Sequence, residues 1–254
     1  MNPPDWQLPP GVDRGLWEYT HSAELAGRYD DSLAGSALAG ADVKFCARQF
    51  DRPGKLVDLG CGTGRLLAAF APRGFDCCGV DLSAEMLAVA RAKVGPGVLL
   101  IQGNLAELAG FAPGAFDYAA CLFSTLGMIR GRDNRLAFLR GVRALLAPGG
   151  RFVVHVHHRW YMGWTGVLGQ VRRDLWKTLR GAADAGDRAG MIPGAGAAVT
   201  LHHFTRREIL RDLGEAGFRV AEVQPVGVDG PLASRRFAGW RTYGYLIAAT
   251  PEPG

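Results

Sequence analysis

Apolar positions along the chain follow two alternating rhythms. Short apolar runs recur at Leu56-Val57-Asp58-Leu59, Cys77-Cys78-Gly79-Val80-Asp81, Val98-Leu99-Leu100-Ile101, Phe116 to Leu122 and Arg151 to His157, the pattern of buried strands. Between them apolar residues fall at helical spacing: over Arg65 to Phe70, from the cap Ser83 to about Lys93, and from about Asn134 to Leu146. Each helix meets a stop, at Pro72-Arg73-Gly74, Gly95-Pro96-Gly97 and Pro148-Gly149-Gly150, because glycine and proline end helices. Another helix is expected from about Ser32 to Phe50, behind a proline-rich arm of about 15 residues. Strands alternating with helices predict an α/β fold, a doubly wound parallel sheet with helices on both faces and right-handed crossovers.

The rhythm breaks from about Arg159 to Val199, where Trp160, Tyr161, Trp164 and Trp176 stand among glycines and arginines. A loop of this length is expected to be functional, here a cap over the pocket. Regularity resumes with the capping box Thr205-x-x-Glu208, a helix to about Ala216 stopped by Gly217, and strands at Phe218 to Val223 and Thr242 to Ala249. The expected division is an arm and helix over 1–50, a ligand-binding half over 51–158, an insertion over 159–199 and the rest of the same domain over 200–254.

Composition narrows this. With 254 residues and 48% hydrophobic content the chain can bury one large core. No apolar run approaches the ~20 residues of a membrane span, and Met1 to Asp5 lacks the blocks of a signal peptide, so a soluble, cytoplasmic protein is expected. Cys46, Cys61, Cys77, Cys78 and Cys121 form no CxxC pair and read as reduced, buried thiols. The charge of +5 is uneven: residues 159–241 carry 13 Lys/Arg against 8 Asp/Glu, while the rest of the chain holds 16 of each. That surplus suits a solvated surface, an anionic small molecule or RNA.

The chemistry concentrates at Asp58-Leu59-Gly60-Cys61-Gly62-Thr63-Gly64, between a strand and a helix. Glycines there let a ligand approach bare main chain at the positive helix end. The third glycine comes one position earlier than in the dinucleotide fingerprint, which argues against a nicotinamide oxidoreductase. Asp58 lies inside the strand, where an unpaired carboxylate is costly unless it serves a ligand or the loop amides. Asp81 ends the next strand, where both oxygens can accept from the two hydroxyls of a ribose.

These two segments, Leu56 to Gly64 and Gly79-Val80-Asp81-Leu82-Ser83-x-x-Met86-Leu87, resemble the first two motifs of the class I S-adenosylmethionine-dependent methyltransferases. The resemblance covers about 19–158 and 200–250, and its final antiparallel strand matches Tyr243 to Ala249, giving seven strands in all. It implies S-adenosyl-L-methionine as cofactor, with S-adenosyl-L-homocysteine as product. It places the backbone of Gly60, Cys61 and Gly62, within the loop that ends in Thr63 and Gly64, along the methionine part. Asp81 would hold the ribose, Leu82 and Met86 the adenine, Asn104 and Leu105 the adenine amino group, and Leu122 and Phe123 the amino end. The segment with Tyr19, Tyr29 and Asp30 is similar to the N-terminal lid of small-molecule members, Tyr29 closing over the cofactor and Tyr19 facing the acceptor.

A sulfonium methyl is already activated, so the protein must mainly align an acceptor and exclude water. Where the acceptor must lose a proton, histidine is the natural base. His157 and His158, at the carboxyl end of the fifth strand, are the candidates for base or acceptor clamp, and Trp160, Tyr161 and Trp164 for enclosing the acceptor. His155, His157, His202 and His203 have a spacing that permits a metal, but no carboxylate or cysteine joins them, and no metal is expected. Cys121 to Gly127 lacks the Asn/Asp-Pro-Pro-aromatic pattern of nucleobase amino methylation, and no Pro-Cys nucleophile is present. The expectation is therefore transfer to an N or O atom of a small molecule, one with an anionic group being suited to the arginines of the C-terminal third. RNA as acceptor, or a cofactor-binding module without turnover, are the alternatives.

Overall fold

The computed structural model describes residues 3–161, 167–182, 184–191, 198–232 and 242–252. Three helices precede the sheet: α1 (Arg14–Thr20), α2 (Ala23–Leu33) and α3 (Ala37–Gln49). Each begins where a side chain accepts an orphan amide of the first turn: Asp13 from Leu16, Ser22 from Leu25 and Ser36 from Ala39. The helix expected from about Ser32 to Phe50 is α3, which starts later, at Ala37, because Gly35 before it has a φ of 77° that no helix tolerates.

The alternation then runs β1 (Lys55–Leu59), α4 (Arg65–Phe70), β2 (Asp76–Asp81), α5 (Ala84–Val94), β3 (Leu99–Gln102), β4 (Phe116–Cys121), α6 (Thr125–Met128), α7 (Arg132–Leu145) and β5 (Leu146–His157). After it come α8 (Val167–Leu179), β6 (Asp187–Met191), β7 (Ala198–His202), α9 (Arg206–Glu215), β8 (Phe218–Gly227), β9 (Gly230–Pro231) and β10 (Gly244–Pro251). The main sheet has the order β3-β2-β1-β4-β5-β10-β8-β9. Strands β1 to β5 pair in parallel, and β10 is antiparallel to both β5 and β8. The expected seven strands with a reversed last strand are present, and the two-residue β9 adds an edge. Strands β6 and β7 form a separate hairpin in the insertion that the weak alternation of Asp187-Arg188-Ala189-Gly190-Met191 did not announce. Both halves of the capping box at Thr205 and Glu208 are made.

Strand alternation divides the core. Leu56 and Cys77 face one side with Phe45 and Cys46 of α3 and Leu66, Leu67 and Phe70 of α4. Val57, Leu59 and Cys78 face the other with Phe138, Leu139 and Val142 of α7 and Ile209 and Leu213 of α9. All five cysteines are free and buried. Strand order reverses between β1 and β4, which leaves a crevice at their carboxyl ends, the place where such sheets take ligands. Among the described residues no helix is long and apolar enough to cross a membrane.

Candidate active site

The crevice opens into a cavity over the carboxyl ends of β1, β2 and β4. Its floor is the glycine loop, which is tied to β2 by hydrogen bonds from the Gly60 and Cys61 amides to the Val80 carbonyl, at 2.8 and 3.0 Å. At Gly60, with φ of 79°, a Cβ would lie 2.3 Å from Thr125 Cγ2, so no other residue fits. At Gly62, with φ of 52°, the nearest atom to a Cβ is Tyr29 Cε1 at 3.9 Å, which leaves bare main chain facing the cavity.

Asp81 accepts from the Gly62 amide at 2.8 Å and the Ser83 amide at 2.9 Å, one on each oxygen. Burial pushes its carboxyl above the usual range despite these bonds. Each oxygen keeps a lone pair for a hydroxyl. Asp58 is buried, lines the cavity and makes no hydrogen bond among the described residues. Burial raises it to about 7, Asp81 and Asp42 adding to the shift and Arg65 opposing it. An orphaned buried carboxylate at a cavity wall fits a ligand cation.

The roof comes from the N-terminal helices. Tyr19 and Tyr29 line the cavity, and burial raises both phenols. Asp30 accepts from Thr63 Oγ1 at 2.6 Å and pairs with Lys93 Nζ at 2.5 Å, so α2 is fastened to both the glycine loop and α5. Those two donors outweigh the effect of burial and hold Asp30 below the usual carboxylate range. The proline-rich arm is also part of the wall: Gly11 and Val12 line the cavity, and Asn104 Nδ2 donates to the Pro10 carbonyl at 3.0 Å.

Of the fourteen residues expected to hold a cofactor, Tyr29, Asp58, Gly60, Cys61, Gly62, Thr63, Asp81, Leu82, Met86, Asn104, Leu105, Leu122 and Phe123 line this cavity. Gly64 does not: it packs against α5, where a Cβ would stand 3.2 Å from Ala90 and Val94. The Asn104 side chain already serves Pro10, Glu107 and the Ala106 amide. Residues the sequence reading passed over include Arg65, Leu33, Thr125, Met128 and Ile129. Phe123 and Ser124 have φ of 54° and 63°, a strained pair at the end of β4 of the kind found at functional sites.

The histidines are set back from the cavity. The ring of Phe123 lies 6.5 Å from His157 and 6.2 Å from His155. His157 is buried with neither ring nitrogen hydrogen-bonded. Burial, with His155 and His203 beside it, pushes it well below the usual imidazole range, so it is neutral. His158 lies elsewhere: its Nδ1 meets the Thr242 carbonyl at 3.2 Å and its ring packs on Tyr245. Burial lowers it to about 4. Trp160 and Tyr161 lie off the cavity wall, Tyr161 against Tyr243 at 5.2 Å, and Trp164 lies outside the described residues.

The remaining histidines are otherwise engaged. His202 sits between Asp187 at 2.6 Å and Glu208 at 2.9 Å. No group of three His, Cys, Asp or Glu side chains among the described residues is arranged to hold a metal.

Residues 56–150 match a family described as a methyltransferase domain. A dTDP-3-amino-3,6-dideoxy-alpha-D-glucopyranose N,N-dimethyltransferase of Streptomyces fradiae is 31% identical over 140 residues, 53% of each chain. The chain spans about half the length of the curated relatives it matches. Among solved structures, the CcbJ methyltransferase of Streptomyces caelestis superposes with a TM-score of 0.68 at 21% identity, over 93% of this chain and 99% of that one. A Burkholderia thailandensis 1,6-didemethyltoxoflavin-N1-methyltransferase, solved with 1,6-didemethyltoxoflavin and S-adenosylhomocysteine bound, gives 0.62 at 20% identity over 100% and 94%.

Proposed function

We propose that the chain, which carries a methyltransferase domain over residues 56–150 and shares its fold with solved methyltransferases, is a class I S-adenosylmethionine-dependent methyltransferase that transfers the cofactor's methyl group to an N or O atom of a small molecule. One observation carries the reading: a cavity floored by the bare Gly60–Gly62 backbone holds a ribose-ready Asp81 at one side and an orphaned Asp58 at the other. Asp58 is placed for the ammonium of the amino-acid end. Leu82, Met86, Leu105 and Ile129 offer an apolar slot for the base.

Bound in this cavity, S-adenosylmethionine supplies a methyl group already activated by its sulfonium. The work left to the chain is alignment and exclusion of water. Tyr19 and Tyr29 close the roof, and Phe123, lifted by its left-handed backbone, forms the wall toward β5. Behind that wall His157, neutral and with both ring nitrogens unpartnered, is our candidate for a hydrogen bond that clamps the acceptor; burial disfavours its taking up a proton. His158, turned toward Thr242 and Tyr245, does not take this role.

A small acceptor is supported by the cavity and by the amino-sugar and toxoflavin chemistry in the names of the similar proteins. Two of the arginines expected to meet the acceptor are engaged elsewhere: Arg159 pairs with Glu208 at 2.6 Å and Arg188 with Asp174 at 3.0 Å. Incubating metabolite extracts with methyl-labelled cofactor should yield a labelled small molecule, and a His157→Asn variant should lose about 100-fold or more in kcat while still binding cofactor. Label found only in tRNA or rRNA would overturn the proposal.

A further inference from the structure

We propose that α8 is a docking surface for an anionic lipid bilayer. A helix on a globular protein turns its apolar stripe to the core and its charges to water, and α8 does the reverse. At about 100° per residue, Asp174 and Thr178 share one side of it. That side meets the body: Asp174 is buried on Arg188 at 3.0 Å, and Thr178 Oγ1 accepts from Arg159 Nη1 at 3.2 Å. The other side carries Leu175, Trp176 and Leu179, which are 49%, 55% and 78% exposed. Rolling the helix to hide the leucines would take the carboxylate away from Arg188, itself nearly buried, so the apolar stripe is held outward.

Charge selects the occupant. Residues 167–180 carry Arg172, Arg173, Lys177 and Arg180 against Asp174 alone, whose charge Arg188 takes up. Lys177 pairs with Asp184 at 2.5 Å. Arg172, one turn before Leu175 and Trp176, is exposed, as is Arg180, whose guanidinium lies 3.4 Å from the centroid of the Trp176 ring. That contact keeps cation and indole at one level.

Leucines that sink toward acyl chains, an indole at headgroup depth and arginines that meet lipid phosphates together fit an anionic bilayer. A second copy docked on this face about a two-fold axis would set these arginines against their own counterparts. A single-stranded nucleic acid would use the arginines and Trp176 but leave Leu175 and Leu179 in water. The surface does not depend on the methyltransferase reading.

Flotation of the full chain with vesicles of phosphatidylglycerol mixed into phosphatidylcholine, and of phosphatidylcholine alone, tests the surface. Wild type should float with the anionic vesicles and bind phosphatidylcholine at least about tenfold more weakly. On anionic vesicles Leu179→Ser should weaken binding by about tenfold and Arg172→Ser by about fivefold. Melting temperatures should stay put, since these side chains are exposed. Added salt should weaken wild type and Leu179→Ser alike, and Arg172→Ser less steeply. Trp176→Ser, scored in the same way, carries the test if Leu179→Ser folds poorly.

Wild type that stays off the anionic vesicles, equal binding to both kinds of vesicle, or Leu179→Ser that floats like wild type would each overturn the proposal. A dimer in sedimentation velocity that Leu179→Ser abolishes would give the face to a second copy instead. Poly(U) that strips wild type from the vesicles and binds Leu179→Ser equally well would give it to nucleic acid.

Discussion

Asp58 shows how one side chain can be unfavourable for the fold and useful to the site. Burial raises its carboxyl to about 7, well above its value of about 4 in an unfolded chain. A raised folded pKa in an acid means that the folded state holds a proton the unfolded state has lost, so stability falls as pH rises from about 4 to about 7 and stays low above that. Asp58→Asn removes the penalty: the unliganded variant should melt higher than wild type at pH 8, with the advantage vanishing near pH 4. Binding runs the other way. An ammonium docking on Asp58 favours the carboxylate, so wild-type affinity for S-adenosylmethionine should weaken by up to about tenfold per unit as pH falls below 7. Asp58→Asn should bind more weakly with no such acid limb. A flat wild-type affinity between pH 5.5 and 7 would remove Asp58 from the ammonium site.

At the scale of elements, α2 roofs the cavity through a small apolar patch against Met86 of α5 and one polar fastening. Leu25 and Ala26 are its buried residues, and Asp30 is its fastening to Thr63 and Lys93. Asp30 is 43% exposed, so its ion pair is worth little to overall stability, at most about 1 kcal/mol. Asp30→Ala should therefore leave the melting temperature within about two degrees of wild type while speeding cofactor dissociation by about tenfold, read by stopped-flow fluorescence. An unchanged off-rate would mean that α2 does not gate the cavity.

The difference between what was legible and what was not follows the same division. Gly60, Gly62 and Asp81 could be read because a strand, a tight turn and a helix N-terminus are local and constrain residue type within a few positions. The arm at Gly11 and Val12 and the Asp30 fastening take their meaning from residues distant in the chain, and nothing near them in sequence marks it. Strand alternation alone sets His157 and His158 apart in sequence, but which of them turns toward Phe123 and which toward Tyr245 depends on distant elements.

Across the whole molecule, the insertion is joined to the sheet by charge rather than by apolar packing alone. Glu208 closes the capping box of α9, accepts from Arg159 at the end of β5 at 2.6 Å, and meets His202 of the hairpin at 2.9 Å. His202 in turn meets Asp187, which Arg130 before α7 holds at 2.7 Å. Burial alone would raise Asp187 and Glu208, but His202 and the arginines outweigh it and hold both carboxyls below their usual range. Folded values depressed in this way add stability above about pH 4 that is lost as pH falls further and the acids take up protons. Such a network is weak evidence of net stabilisation, yet breaking one member is costly because a buried charge is left unpaired. Glu208→Ala removes the carboxylate paired with Arg159, which is 3% exposed and keeps only neutral acceptors, and should cost about 3–5 kcal/mol, a fall of roughly 10 °C in the melting temperature at pH 7. At pH 3, nearer to where the wild-type carboxyls take up protons, the two proteins should differ less. Because β7 also packs on α1, with Val199 against Leu16, Tyr19 and Met86, the same variant should bind cofactor more weakly although Glu208 lies off the cavity wall. Calorimetric melts at both pH values and titration of the cofactor check the two halves separately. A large loss of stability with unchanged affinity would show that the hairpin carries the insertion but does not brace the roof.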